Sequence, residues 1–254
     1  MDLRTVKAIR YVTPLREGGS LPAIVEANDD GLYVLKFRGA GQGVKALIAE
    51  LLAGEIGRVL GLPVPEIVFV ELDADLARTE PDPEIQDLIK ASGGVNLALD
   101  YLPGSITFDA LIQKPDSALA SQIVWFDALT ANVDRTPRNA NMLLWHKELW
   151  LIDHGAAFYF HHNWDNFAGN SRNPFKQIKD HILLSFADEI KKADEVLSTK
   201  LAPEIIREII ALVPDEWLDN PAEQREIYFQ FLLNRLEAPR DFVKEAIDAR
   251  NLHV

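Results

Sequence analysis

The stretch Asn132-Val133-Asp134-Arg135-Thr136-Pro137-Arg138-Asn139 places an amide five positions after an acid, and a second acid opens Asp153-His154-Gly155 fourteen positions further on. These residue types in this order suit phosphoryl transfer. That reaction needs one carboxylate to orient the attacking hydroxyl and accept its proton. It also needs a carboxylate and an amide oxygen to hold Mg2+ on the nucleotide phosphates. Asp134 is the candidate for the first task, and Asn139 with Asp153 for the second. D-x-x-x-x-N alone is a weak signal, since it occurs by chance in many chains. Its weight comes from the elements around it.

Periodicity supplies those elements. Residues 117–131 read as a buried helix ahead of the loop, with Asp127 either bracing the loop or lying at the helix edge. Residues 141–145 and 149–153 read as strands around a tight turn at His146-Lys147-Glu148, which brings Asn139 and Asp153 to one end of a hairpin. Upstream, 6–15, 21–27, 32–37, 66–72 and 95–101 read as strands, and Asn28-Asp29-Asp30-Gly31 as a hairpin turn. Residues 44–60 have helical apolar spacing and stop at Gly61, with Pro63 and Pro65 just beyond. After residue 180 the pattern is helical, over 180–197, 203–212, 221–236 and 239–250. A β-rich first part with one helix therefore meets a mostly helical second part near Tyr101–Gly104.

Composition narrows the classes of function. The 254 residues include 48% hydrophobic types, enough for a large core. No apolar run is long enough to span a membrane, and the opening MDLRTVKAIRYV lacks the apolar stretch of a signal peptide. There are no cysteines, hence no disulfides, thiolate metal site or Cys nucleophile, which fits a cytoplasmic protein. The 26 Lys+Arg against 39 Asp+Glu give a net charge of -13, which argues against direct nucleic-acid binding. His154, His161 and His162 match no common zinc spacing.

With these pieces in order, the chain resembles the protein-kinase-like fold, and within it the HipA-like kinase family, both its toxin-type members and a looser bacterial HipA-like group. The matching segments are Asp134 to Asn139, the Asp153 strand end, and Glu50-Leu51-Leu52-Ala53-Gly54 through Pro65, which looks like the family's Glu-containing helix and its exit. The resemblance implies an α+β, two-lobed architecture: an antiparallel sheet plus one helix in an N-lobe over 1–100, and a mainly helical C-lobe over 101–254. It implies ATP and Mg2+ as cofactors, Lys36 on the α/β-phosphates, and Glu50 paired with Lys36. A charge beside the apolar stripe of that helix wants such a partner. Gly18, Gly19 and Ser20 would cover the phosphates, although Gly39-Ala40-Gly41-Gln42-Gly43, before a helix, is a rival anion loop. The backbone of Asp100, Tyr101 and Leu102 would bind adenine at the hinge.

The family's toxins phosphorylate serine or threonine on a protein, so a serine/threonine kinase is the reading that the resemblance carries. A small-molecule kinase of the aminoglycoside or choline type, or a nucleotide-binding pseudokinase module, are the alternatives. An antitoxin-like partner would follow only for a toxin. Two departures stand out. His154 replaces the Phe usual in eukaryotic kinases, and the glycine turn has two adjacent glycines. Residues 163–175 occupy the place of an activation or substrate loop, but their lack of periodicity favours a generic loop.

Overall fold

The computed structural model describes residues 1–15, 21–41, 43–164 and 167–253. Strands β1 (Thr5–Pro14), β2 (Ala23–Ala27), β3 (Leu32–Lys36), β4 (Ile67–Leu72) and β5 (Gly94–Asp100) join in the order β1-β2-β3-β5-β4 and close into a barrel. The expected antiparallel sheet is therefore corrected at one seam. Residues Thr5, Val6 and Lys7 of β1 pair in parallel with Phe69, Val70 and Glu71 of β4. That pairing shuts the sheet on a small core that includes Val25, Tyr33, Leu35, Phe37, Val70 and Ala98. Side chains alternate along a strand, so Val34 and Lys36 of β3 take the outer face. Lys36 stands opposite Leu97, and Val34 opposite Leu99.

Helix α1 (Gly43–Leu60) packs against that outer face. Every residue from Leu47 to Gly57 is buried, including Glu50. A helix buried all round must let its neighbours come close. At Gly57 a Cβ would sit 3.0 Å from Val64 Cγ2, so any larger residue there would require Val64 to give way. Gly61, at φ +85°, ends the helix in the left-handed region that favours glycine. Helix α2 (Pro83–Ala91) is capped by Asp82, whose side chain accepts from the Glu84 N–H.

The second part begins with β6 (Ile106–Thr107) and helix α3 (Ser117–Thr130), whose C-terminal two-thirds is buried. Strands β7 (Met142–Trp145) and β8 (Glu148–Leu151) form the expected hairpin, with β6 added at its edge. Helices α4 (Phe167–Ser171), α5 (Ile190–Leu197), α6 (Pro203–Ala211), α7 (Pro221–Leu236) and α8 (Asp241–His253) complete it. No helix among the described residues is long and apolar enough to cross a membrane.

The helix expected over 180–197 starts only at Ile190. Before it lie short 3-10 turns, Lys176–Asp180 and Leu184–Phe186. The backbone here bonds elsewhere: the Ile182 N–H donates to the Arg135 carbonyl and the Leu183 N–H to the His181 ring. The helical tail also reaches back to the first part. Lys200 Nζ donates to the Leu60 carbonyl at 2.6 Å, Arg38 pairs with Glu216 at 3.2 Å, and Trp217 stands edge-on to Phe69 with centroids 5.9 Å apart.

Candidate active site

Lys36 joins the two parts. Its Nζ lies 2.5 Å from Glu50 Oε2 and 2.6 Å from Asp153 Oδ1. Burial works against both buried members of this trio, and the opposite charges overcome it. Asp153 and Glu50 raise the Lys36 pKa, while Lys36 and His154 hold Glu50 at about 2. Lys36 and Glu50 are thus a charged pair. Asp153, at φ +55° just past β8, keeps its side chain 45% exposed and open to solvent.

Asp134 lies across from Asp153. Partial burial and the nearby Asp153 charge raise its pKa, against hydrogen bonds from Asn139 and Asn141 that lower it. Asn139 Nδ2 donates to Asp134 Oδ2 at 2.7 Å. Asn141 is buried, and its Nδ2 donates to the Asp153 carbonyl at 3.3 Å. Asn141 therefore links the Asp134 side chain to the main chain of Asp153. Sequence spacing alone passes over it. The signal for it is position: Asn141 is the residue from which the chain enters β7.

The loop that carries Asp134 rests on a buried polar network. Asp127, fully buried on α3, accepts from Arg135 Nε at 2.6 Å and from Asn132 Nδ2 at 2.9 Å, and His181 Nε2 lies 2.9 Å from it. The Leu183 N–H donates to His181 Nδ1, so the ring proton sits on Nε2 and faces Asp127. Arg135 Nη1 donates to the Asn141 carbonyl. Burial would raise the Asp127 carboxyl, but Arg135 and His181 hold it well below its usual range. Of the two readings of Asp127, the structure selects the brace.

The remaining candidates fall less centrally. Gly18, Gly19 and Ser20 lie outside the described residues. At the hinge, the Asp100 and Tyr101 N–H groups already donate to the carbonyls of Glu66 and Leu32, and the Leu102 carbonyl accepts from Ser105. Trp145 Nε1 donates to the Pro103 carbonyl, which ties the hairpin to this connection. In the rival loop, Gly39 N–H donates to Ser92 Oγ and Gly43 N–H to the Ala40 carbonyl, so both are spent within the fold.

This fold is shared by kinases of known structure. A Helicobacter pylori proinflammatory kinase, CtkA, superposes with a TM-score of 0.59 at 16% identity, over 92% of this chain and 95% of that one. A Golgi casein kinase solved with Mn and ADP bound gives 0.55 at 11% identity, over 97% of this chain and 73% of that one. No curated protein sequence matches. The family profile described as HipA-like kinase matches residues 8–242, and the chain belongs to that family. It is a kinase, and its chemistry is phosphotransfer.

Proposed function

We propose that this chain transfers the γ-phosphoryl group of ATP to a hydroxyl, on serine or threonine of a protein, within a two-lobed arrangement with nucleotide between the lobes. The observation that carries this reading is Lys36 held between buried Glu50 and open Asp153. That lysine offers a fixed positive charge beside a half-exposed carboxylate, the pairing that a metal–nucleotide complex requires. Apolar Val34 and Leu99 lie on the same outer barrel face as Lys36 and would form the roof over the base. With the Asp100 and Tyr101 N–H groups spent, the base would be read by carbonyls of this stretch and by the Leu102 N–H.

One carboxylate and an amide suit Mg2+, which keeps several waters and takes further ligands from phosphate. We assign Asp153 and Asn141 to the metal and leave Asn139 to orient Asp134, because Asn141 bonds both the Asp153 carbonyl and the Asp134 carboxylate, while Asn139 is engaged with Asp134. When bound, Mg2+ would neutralise charge on the phosphates. Asp134 orients the acceptor hydroxyl and takes its proton as the new O–P bond forms and the bond to the β-phosphate oxygen breaks. Lys36 stays on the α/β-phosphates, and Glu50 keeps it there.

Stabilisation by ATP with Mg2+, followed by labelled-phosphate transfer in a lysate, tests this reading. At a hundredfold excess over Kd the ligand adds about 2.7 kcal/mol, a rise in Tm of roughly 5–10 °C for a chain of this size. No rise with ATP and Mg2+ would sink the proposal. A labelled metabolite in place of a labelled protein would move the acceptor to a small molecule.

The amide assignment has its own test. Asn141→Ala should raise the Mg2+ concentration needed for half-maximal stabilisation by about tenfold, the loss of one charge-assisted ligand. Asn139→Ala should leave that concentration near wild type and lower turnover. The reverse pattern in a Mg2+ titration would return the metal to Asn139.

A further inference from the structure

His154 has one polar task in this structure. Its backbone N–H donates to Glu50 Oε2 at 2.7 Å, the oxygen that also accepts from Lys36. Its fully buried ring places Nδ1 3.2 Å from the other oxygen, Glu50 Oε1. A carboxylate oxygen only accepts, so Nδ1 carries the ring proton. Nε2 has no hydrogen-bond partner among the described residues. The ring stands edge-on to Phe126, centroids 5.7 Å apart, a contact that an apolar ring would make equally well. Packing alone therefore does not call for histidine.

We propose that His154 is a positioning residue that keeps Lys36 shared between Glu50 and Asp153, and so ready for the metal–nucleotide complex. This deepens the kinase reading and rests on it. Without the ring donor, Glu50 Oε1 is a buried carboxylate oxygen with no partner, which is costly. The His154 N–H still holds Glu50 Oε2, but the carboxylate has lost its second anchor, and Lys36 shifts toward Asp153. A lysine drawn onto Asp153 leaves its place facing the phosphates. An Asp153 neutralised by that lysine is a poorer ligand for a divalent cation. The residue next to the metal-facing acid thus controls the charge balance of the site through the α1 glutamate.

Two variants separate the donor from the packing. His154→Phe keeps a ring and removes the donor, while His154→Asn keeps an N–H near the place of Nδ1. Binding of Mg2+–ADP by calorimetry is one readout. The rate at which Lys36 is acylated by an amine reagent without nucleotide, followed by peptide mass spectrometry, is the other. His154→Phe should weaken Mg2+–ADP binding about tenfold and speed Lys36 acylation severalfold. His154→Asn should recover most of both. Wild-type values in the Phe variant, or an Asn variant as impaired as Phe, would overturn the proposal. Should Phe prevent folding, His154→Leu carries the same comparison. A wild-type chain that binds no Mg2+–ADP would sink the kinase reading, and the acylation rates would still decide on His154.

Discussion

Asp134→Asn should lower phosphoryl transfer by about 10²- to 10⁴-fold, the usual worth of a positioned general base, while binding of the Mg2+–nucleotide complex stays within about threefold of wild type. The asymmetry follows from what Asp134 touches. It bonds to Asn139 and Asn141 and lies near Asp153, but makes no ion pair with Lys36. Removing its charge removes the proton acceptor and leaves the phosphate-binding cation in place. Single-turnover rates and calorimetry on the same preparation check both halves. A variant that retains full transfer would remove Asp134 from the mechanism. The wild-type pH profile carries the same assignment. Partial burial and the Asp153 charge raise the Asp134 pKa, and only the ionised form accepts a proton. The acid limb of kcat/KM for the Mg2+–nucleotide complex, which reports the free enzyme, should therefore lie above the value of a free aspartate, 3.8. Asp134→Asn should abolish that limb along with the rate.

Asp127→Ala should cost about 3–5 kcal/mol, the penalty for stranding a buried partner charge, and lower Tm by roughly 6–20 °C in a chain of this size. Arg135 is buried, and its charge is matched by Asp127 at 2.6 Å. Its other hydrogen-bond partner among the described residues is the neutral Asn141 carbonyl. The loss therefore falls on the loop that holds Asp134 and Asn141, and turnover should drop with stability. Asp127→Asn keeps the shape and loses the charge, so it should lie between. Denaturant unfolding of the three proteins orders them, and an Ala variant within 1 kcal/mol of wild type would contradict the network's role.

Much of the site was legible because its parts are local. Asp134, Asn139 and Asp153 are separated by one loop and one hairpin, and a tight turn decides where their strands begin and end. Lys36 and Glu50 could be paired from charge near an apolar stripe. The face of β3 that Lys36 takes was not legible, because its neighbours are apolar on both sides. It is settled by the barrel interior, which claims Tyr33, Leu35 and Phe37. The barrel itself depends on three residues of β1 meeting β4 some sixty positions away, a pairing that no local pattern announces. The missing helix at 180–189 has a similar cause. Its apolar spacing is helical, but Arg135 and His181 draw its backbone into the loop network, and tertiary bonds override propensity. Asn141, the amide we propose for the metal, has no spacing signal of its own beside Asn139, two positions earlier at the more familiar spacing.

Closure of the barrel also decides how other molecules can meet this half of the chain. An open sheet exposes unpaired N–H and C=O groups along its rim, a template on which a foreign strand can grow. Here the seam between β1 and β4 closes that rim over Thr5–Lys7 and Phe69–Glu71. A peptide or second copy cannot enter the sheet there by backbone pairing. Beyond the seam, the rest of β1 pairs with β2 alone among the described strands, so that stretch is the template the barrel leaves. The two-residue strand β6, at the border of the smaller sheet, is too short to offer another.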